Sequence, residues 1–274
     1  MNTLTHSVEK ARRFIQEYSR VFRHFRVALA LARRELKGRY RSSWLGFLWT
    51  FIEPFLLMCI FFFVFAIVFQ QKRENYLLFL NCGMLPFFCF QNSVNKATAS
   101  IVANTSLIRQ IYCPRQIFVL VGVLSELYHF FLSLVVLVPF YIYYRMIPDV
   151  QVIAVIPITI LLALLCVGLG LFLGALNVFV RDTSIFMGLI MRMLFYMTPI
   201  FYDMARFDGA PSWALRLYYL NPLTILVGLY RWALISEPLP HWHHIGVLLI
   251  EILVALVVGS VYFYRKDNDI VKVL

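Results

Sequence analysis

The sequence predicts an all-α integral membrane protein with six transmembrane helices, an N-terminal amphipathic interface helix, and a re-entrant hairpin on the outer side between spans 5 and 6. Three observations support this fold class. Hydrophobic residues make up 61% of the 274 residues and charged residues only 14%, which leaves too little polar surface for a water-soluble globule. Apolar runs long enough to cross a hydrocarbon core of about 30 Å recur along the chain. The positive charge is concentrated ahead of the first of these runs.

The basic N-terminal segment sets the expected orientation. Residues 1–43 carry eleven Lys or Arg against three acids, a net charge of +8 out of +11 for the whole chain. Because positive segments are retained on the cytoplasmic side, the N-terminus is expected in the cytoplasm. Anionic lipid head groups account for this charge, so nucleic acid is not an expected partner. We therefore divide the chain into a cytoplasmic interface helix, residues 1–43, and a transmembrane domain, residues 44–274.

The interface helix is predicted from periodicity. Between Val8 and Tyr40, apolar residues recur at alternating steps of three and four, with arginines on the other faces. A coiled coil would show a similar stripe. Aromatic residues on the apolar face favour instead a helix that lies on the inner leaflet, and two helices separated near Ser19 would also satisfy the pattern.

The apolar runs define the six spans. Their expected bounds are about 45–69, 76–95, 117–144, 152–180, 184–201 and 245–264, with both termini in the cytoplasm. The second span holds several polar residues and Pro86, so we expect it to face protein rather than lipid. The glycines Gly168, Gly170 and Gly174 in the fourth span predict close packing against another helix.

The loop of residues 104–115, between the second and third spans, is expected on the cytoplasmic side. Its apolar side chains Leu107, Ile108, Ile111 and Tyr112 would share one side of a short helix, with Arg109 nearby. Such a helix would present an apolar knob to a soluble partner. A tight turn with an interfacial anchor agrees equally well with these residues.

Residues 202–244 form the least regular region. Neither of its apolar pieces, Trp213–Leu220 and Leu223–Ile235, reaches the ~17 residues that a span requires, and this length is typical of re-entrant or interfacial helices. Counting the second piece as a span would place the basic C-terminal tail outside the cell, whereas basic segments are usually retained in the cytoplasm. A re-entrant hairpin is therefore the prediction here.

Three of the charged residues inside the predicted spans share one depth. Glu53, Glu126 and Arg192 each lie nine residues beyond the cytoplasmic end of a span, which is a common depth of ~13 Å. Charged groups at such a depth usually pair or line a polar path. We hypothesise that Arg192 pairs with Glu53 or Glu126 near the inner mouth of a pathway. A purely structural ion pair is the alternative.

The sequence shows no arrangement typical of bond chemistry. It has no Gly-rich phosphate loop, no zinc-protease motif, and no carboxylate cluster at a membrane face. His241, His243 and His244 are more typical of a membrane boundary than of a metal site, so we expect no metal or cofactor in this chain. The five cysteines are interpreted as reduced structural thiols.

Several short stretches occur in order along nearly the whole chain from about residue 27. They are Arg33-Arg34-Glu35-Leu36-Lys37, Arg39-Tyr40-Arg41, Leu45-Gly46-Phe47-Leu48-Trp49, Glu53-Pro54, Gly83-Met84-Leu85-Pro86-Phe87, Leu107-Ile108-Arg109, Pro114-Arg115, Val180-Arg181-Asp182, Thr198-Pro199-Ile200, Asn221-Pro222 and Tyr230-Arg231. Taken together, these stretches resemble the membrane subunits of ABC-type polysaccharide exporters, the type-2 permeases that export O-antigen or wall teichoic acid.

The resemblance implies a transport subunit rather than an enzyme. Two copies of the chain would form a channel in the bacterial plasma membrane. Two separate ATPase subunits, which bind ATP and Mg²⁺, would dock beneath it through the 104–115 loop. The implied substrate is a glycan on undecaprenyl diphosphate, exported from the cytoplasmic side. The region 202–244 would then supply a pair of gate helices outside.

Three groups of candidate site residues follow. The pathway and lipid-diphosphate group comprises Arg39, Arg41, Glu53, Glu126 and Arg192. The ATPase-coupling group comprises Leu107, Ile108, Arg109, Ile111 and Tyr112. The external-gate group comprises Trp213, Tyr218, Asn221, Pro222, Tyr230 and Arg231. Arg39 and Arg41 are equally compatible with ordinary cytoplasmic anchors.

Other functions remain open at this point. The capsule-exporting branch of the resembled family tends to carry a different basic motif before the first span, which favours O-antigen or teichoic acid. A type-2 permease for a drug or a lipid is the alternative within transport. An intramembrane enzyme acting on lipid-linked sugars is the alternative from another class, and it would need carboxylates or histidines grouped at a membrane face.

Overall fold

The computed structural model describes residues 21, 23–39, 44–64, 73, 75–110, 113–202, 211, 215 and 218–273. All regular structure within these residues is helical, which confirms the all-α prediction for them. The α-helices, numbered in chain order, are α1 Phe25–Arg39, α2 Trp49–Phe62, α3 Tyr76–Ala103, α4 Thr105–Gln110, α5 Gln116–Ser133, α6 Leu137–Tyr143, α7 Val155–Phe179, α8 Asp182–Met197, α9 Pro222–Ile235 and α10 Trp242–Val273. Short 3₁₀ turns at Gly46–Leu48, Leu134–Val136 and Val150–Ala154 lead into α2, α6 and α7.

Four helical segments of the described chain are long and apolar enough to cross a membrane. They are Tyr76–Ala103, Gln116–Tyr143, Val150–Phe179 and Trp242–Val273. They coincide with four of the predicted spans, and the protein is therefore a multi-pass membrane protein. The shorter apolar helices are α2 and α9, with 14 residues each. The predicted first span, 45–69, continues past the described residues.

Two helices extend beyond their predicted spans. Helix α3 runs eight residues past Asn95 because Ala97 and Ile101 are fully buried against neighbouring helices. Helix α10 continues to Val273, nine residues past Tyr264. Its last turns are tied back to the bundle by a 2.6 Å ion pair between Arg115 and Asp267 and by the buried Ile270.

Helix α3 is the centre of the bundle. It packs against α5, α7 and α9, and most of its residues are buried. Two of its buried polar side chains bond within the protein: Asn81 Nδ2 donates to the Leu77 carbonyl oxygen at 2.9 Å, and Thr98 Oγ1 donates to the Val94 carbonyl oxygen at 2.8 Å. The prediction that this polar span faces protein is confirmed.

Glycines bring α7 close to its neighbours on both sides. A Cβ atom built on Gly168 would lie 2.6 Å from the backbone of Ala255 in α10, and one on Gly170 would lie 2.6 Å from the Ala97 side chain in α3. Gly259 of α10 meets the Gly168 backbone directly. Helices without a Cβ at the contact approach more closely, so the predicted packing role of Gly168 and Gly170 is confirmed.

Helix α1 forms a second, smaller apolar cluster with α5. The buried members of this cluster are Val21, Ala28, Ala32, Ile117 and Val121. The alanines lie on one face of α1, while the arginines beside them are exposed. This is the amphipathic helix that the periodicity predicts, observed for residues 25–39. The earlier part of that pattern, including Ser19, lies outside the described residues.

Candidate functional site

The loop between α3 and α5 contains the short helix that the sequence suggested. Asn104 Nδ2 donates to the Ser100 carbonyl oxygen at 2.8 Å, which ends α3, and α4 follows over Thr105–Gln110. Arg109 is exposed, whereas Leu107 and Ile108 are half-buried and Ile108 packs on the main core. The apolar side of α4 is thus partly turned into the protein. Ile111 and Tyr112 lie outside the described residues.

Residues 113–115 connect this loop to α5. Burial raises the pKa of the Cys113 thiol above its ordinary value, and the positive charge of Arg115 opposes the shift. Arg115 also binds Asp267 near the end of α10. The loop is therefore tied to the last turns of the chain.

A groove opens between α1, α5 and the junction of α3 with α4. Its volume is about 730 Å³. Its lining includes the apolar residues Leu31, Leu107 and Phe118 and the polar residues Arg34 and Asn104. Helix α1 and the 104–115 loop thus line the same groove.

Lys96 joins three helices at this groove. Its ammonium nitrogen lies 2.7 Å from Glu35 Oε1 on α1 and 2.8 Å from Glu126 Oε1 on α5, and it also donates to Ser125 Oγ at 3.1 Å. An ammonium group has three donors, so these acceptors use its full capacity. The side chain of Glu126 is 1% exposed and that of Glu35 is 40% exposed.

The close approach of α3 and α5 depends on Gly122. A Cβ atom at this position would lie 3.3 Å from the Ala97 backbone nitrogen and 3.4 Å from the Lys96 backbone. Such contacts are tighter than ordinary packing. A glycine here lets Glu126, one turn further along α5, come within reach of Lys96.

The predicted pairing of Arg192 is wrong within one chain. Glu126 binds Lys96 instead, and Glu126 is buried rather than placed along an open pathway. Arg192 and Glu53 are both exposed, and in the described part of the chain neither forms an ion pair. Their helices do meet, since the rings of Phe61 and Phe195 lie 5.7 Å apart. Charges at the same depth in the membrane can still point to different sides of their helices, so equal depth does not predict pairing.

Of the two arginines predicted to contact a lipid diphosphate, Arg39 is the last residue of α1 and Arg41 lies outside the described residues. The structure therefore leaves this role untested.

Helix α9, the second apolar piece of the 202–244 region, is a regular buried helix. It begins where Asn221 Oδ1 accepts a hydrogen bond from the Leu223 N–H at 3.0 Å and Pro222 occupies the first turn. It ends at Ser236, whose φ of 55° is left-handed. Asn221 Nδ2 also donates to Thr198 Oγ1 at 3.1 Å, which ties the helix start to the turn after α8.

Arg231 fixes α9 to the N-terminal part of α3. Its guanidinium lies 3.5 Å from the centre of the Phe79 ring, and its Nη2 donates to the Ile200 carbonyl oxygen at 2.9 Å. A Cβ on Gly83 would lie 3.1 Å from this nitrogen, so glycine leaves room for the guanidinium. A cation over an aromatic face in a desolvated setting is a strong contact.

Two further residues of the predicted external-gate group form hydrogen bonds through their hydroxyl groups. Tyr230 and Thr159 share a 2.9 Å hydrogen bond between α9 and α7. Tyr218 hydrogen-bonds Tyr202. Trp213 lies outside the described residues. The structure therefore brings Asn221, Tyr230 and Arg231 onto one buried helix that contacts α3 and α7.

Sequence reasoning missed several residues that complete these sites. Glu35 and Lys96 are 61 positions apart, and Arg231 and Phe79 are more than 150 positions apart. No local spacing connects such pairs. The one available signal was Lys96 itself, a cation directly after a polar, buried stretch.

The helical fold, with four segments able to span a membrane, defines the class: a helical multi-pass membrane protein. Comparison with known proteins identifies its family. The chain belongs to the ABC-2 type transporter family, whose profile matches residues 26–235. Membership implies a separate ABC ATPase partner.

Two relatives match almost end to end. One is the O-antigen export system permease protein RfbA of Klebsiella pneumoniae, 30% identical over 251 residues, which cover 91% of this chain and 95% of that protein. The other is the RfbA protein of Myxococcus xanthus, 29% identical over 242 residues, 88% of this chain and 92% of that protein. A third relative, the capsule polysaccharide export inner-membrane protein CtrC of Neisseria meningitidis, is 36% identical over 85 residues, or 30% of this chain and 32% of that protein.

Proposed function

We propose that the protein is the channel-forming permease subunit of an ATP-driven exporter of lipid-linked polysaccharide. The observation that carries this proposal is the similarity to O-antigen export permeases over 91% of the chain. Similarity to a capsule export protein covers only 30%. An O-antigen-type glycan on undecaprenyl diphosphate is the proposed substrate, with wall teichoic acid as the chemically related alternative.

The proposed topology has six spans and both termini in the cytoplasm. The two remaining spans would be formed by α2 and α8. Helix α2 would have to continue past residue 64 to cross the membrane. The 14 residues of α9 reach only ~21 Å, less than a bilayer core, which supports a re-entrant hairpin over residues 202–244. This arrangement keeps the basic N-terminal segment and the C-terminal tail on the same side.

The proposed assembly contains two copies of this chain and two ATPase subunits. ATP and Mg²⁺ would bind the ATPases, and this chain would hold no cofactor. Docking through residues 104–115 and the interface helix is supported by the groove that these elements share. Arg109 is exposed on α4 and is available to a partner.

The proposed pathway follows the exposed charges. Glu53 and Arg192 lie on exposed faces of otherwise apolar helices, where a charge requires water or a partner molecule. A channel between two copies would supply that environment. Arg39 and Arg41 would meet the diphosphate at the inner leaflet through charge-assisted hydrogen bonds. The buried Glu126 is left out of this pathway.

The proposed outer gate is built on α9. Asn221 and Pro222 start the helix, Tyr230 and Arg231 anchor it, and Tyr218 and Trp213 belong to the segment before it. Because its anchors reach α3 and α7, opening would require these helices to shift together.

The test locates lipid-linked glycan in spheroplasts after depletion of this protein, with a label that cannot cross the inner membrane. We expect glycan to accumulate on the cytoplasmic side. The double variant R39Q/R41Q should lower export at limiting substrate about tenfold, as loss of hydrogen bonds to a charged group predicts. The matched control R26Q/R33Q removes two exposed arginines from α1 and should export normally.

Two results would overturn the proposal in different ways. Normal arrival of glycan at the outer face after depletion would exclude polysaccharide export and direct attention to drug or lipid efflux. Equal losses in the two double variants would show that Arg39 and Arg41 act as general anchors rather than as diphosphate ligands.

A further inference from the structure

Helix α3 is bound to neighbouring helices by a charged side chain near each of its ends. At its cytoplasmic end, Lys96 binds α1 and α5. Towards its outer end, Phe79 and Gly83 receive Arg231 of α9. The helix is continuous between them, and Lys96 lies ~20 Å along the axis from Gly83 and ~26 Å from Phe79.

The two carboxylates on Lys96 differ sharply in exposure. Glu126 of α5 is 1% exposed, and its bond to Lys96 lies inside the bundle. Glu35 of α1 is 40% exposed, and its bond lies at the edge of the groove. One ammonium group therefore joins a buried carboxylate and a solvated carboxylate.

This difference in exposure predicts different lability. Removing one partner of a buried ion pair leaves an uncompensated charge, so the contact between Lys96 and Glu126 is costly to break. An exposed ion pair contributes little net stability, because water replaces the lost partner. The bond between Glu35 and Lys96 can therefore open at little cost, while Lys96 keeps α3 and α5 joined through Glu126.

The other contacts of α1 are made mainly with α5. The buried alanines Ala28 and Ala32 and the half-buried Leu31 pack there against a cluster that includes Ile117 and Val121. Glu35, one turn beyond Ala32, is a polar contact that connects α1 to α3.

We propose that the bond between Glu35 and Lys96 is a releasable contact through which the interface helix positions α3, and that α3 transmits this position to the gate helix α9. Glu35, Lys96 and Glu126 are thus positioning residues of the transport cycle. Glu126 holds Lys96 in place, and Glu35 engages or leaves it as α1 moves. This inference rests on the proposed function, since it assumes that an ATPase acts on α1 and α4.

The first test compares E35Q with the control D269N in the complex of the full chain and its ATPase in proteoliposomes. Asp269 also forms exposed ion pairs, with Lys266 and Lys272, but it lies on the last turns of α10. We expect E35Q to hydrolyse ATP at the normal rate and to export about two- to fivefold less polysaccharide per ATP, the range that an exposed ion pair allows. D269N should match the wild type. Equal ratios in E35Q and D269N would overturn the inference.

The second test separates positioning from folding. K96M leaves Glu126 buried without its ammonium partner and should lower the yield of the assembled complex. The double variant K96M/E126L removes both charges, and replacing a buried ion pair by apolar residues is often tolerated. We expect the yield to recover while export per ATP stays as low as in E35Q. If the yield and the export per ATP both recovered in K96M/E126L, Lys96 would only stabilise the fold, and the inference would be refuted.

A third measurement needs no substrate. Hydrogen exchange in residues 222–235 is followed in the wild-type and E35Q complexes, with and without a non-hydrolysable ATP analogue. We expect the analogue to change exchange in α9 of the wild type and to change it at least twofold less in E35Q. An identical response in both complexes would contradict the inference. Wild-type vesicles that fail to export polysaccharide, yet show this difference, would refute the proposed function and leave the inference standing.

Discussion

The contact between α7 and α10 offers a sharp test of the packing argument. In the variant G168A, the new Cβ would lie 2.6 Å from the backbone carbon of Ala255 and 2.6 Å from the backbone nitrogen of Leu256. Ordinary contacts are closer to ~3.5 Å, so the two helices must separate by roughly 1 Å. A backbone cannot rotate aside as a flexible side chain can. Overpacking of this kind typically costs about 1–3 kcal/mol.

The loss is expected to appear directly in thermal stability. Helices in a membrane associate through close packing rather than through a hydrophobic effect, so a wider separation has few compensations. With about 2 kcal/mol lost, the melting temperature of the purified protein should fall by roughly 4–8 °C. The matched control is G246A on α10, because nothing lies within 4 Å of a Cβ built there.

The control should be neutral or slightly stabilising, because alanine favours the helix over glycine. Melting is measured in detergent by loss of the monodisperse protein on heating. If G168A and G246A shift the melting temperature equally, the close approach of α7 and α10 is not a stabilising contact and the reasoning fails.

Three further predictions concern the gate helix and the coupling loop. N221A removes the cap of α9 and its bond to the turn after α8, so it should cost about 1 kcal/mol, measured as a lower melting temperature, whereas N221S should retain most of the stability. R231K keeps the charge but loses the planar guanidinium that lies on Phe79 and reaches Ile200, so export should fall although the charge is conserved; unchanged export would contradict the anchoring role. Because burial raises the pKa of the Cys113 thiol, its labelling by an impermeant maleimide should keep rising with pH beyond the ordinary value of 9.0, and it should occur only from the cytoplasmic side.

The site around Lys96 and α4 shows which features a local sequence pattern can reveal. Apolar residues within one loop suggested the short helix α4. The recurrence of apolar residues at steps of three and four predicted the amphipathic helix α1. Both depend on neighbours along the chain. The bonds from Lys96 to Glu35 and Glu126 depend instead on α1, α3 and α5 meeting, and their sequence separations are too large for any periodicity to show.

The failed pairing of Arg192 shows the limit of depth as an argument. Counting residues from the end of each span places a charge at a level in the membrane. It does not give the direction in which the side chain points around its helix. The level of Glu126 is shared with other charges, but its direction brings it to Lys96.

The sequence by itself determined the class of protein, four of the apolar segments long enough to span a membrane, the amphipathic helix before them, and the short apolar helix after Asn221. These features follow from composition, hydrophobic length and periodicity, all of which act within a stretch of chain. Only the tertiary structure decided which charges pair, which glycines allow helices to pack closely, and which end of α3 contacts α9. Those outcomes depend on how helices rotate and dock, because each contact joins atoms that the chain brings together only when it folds.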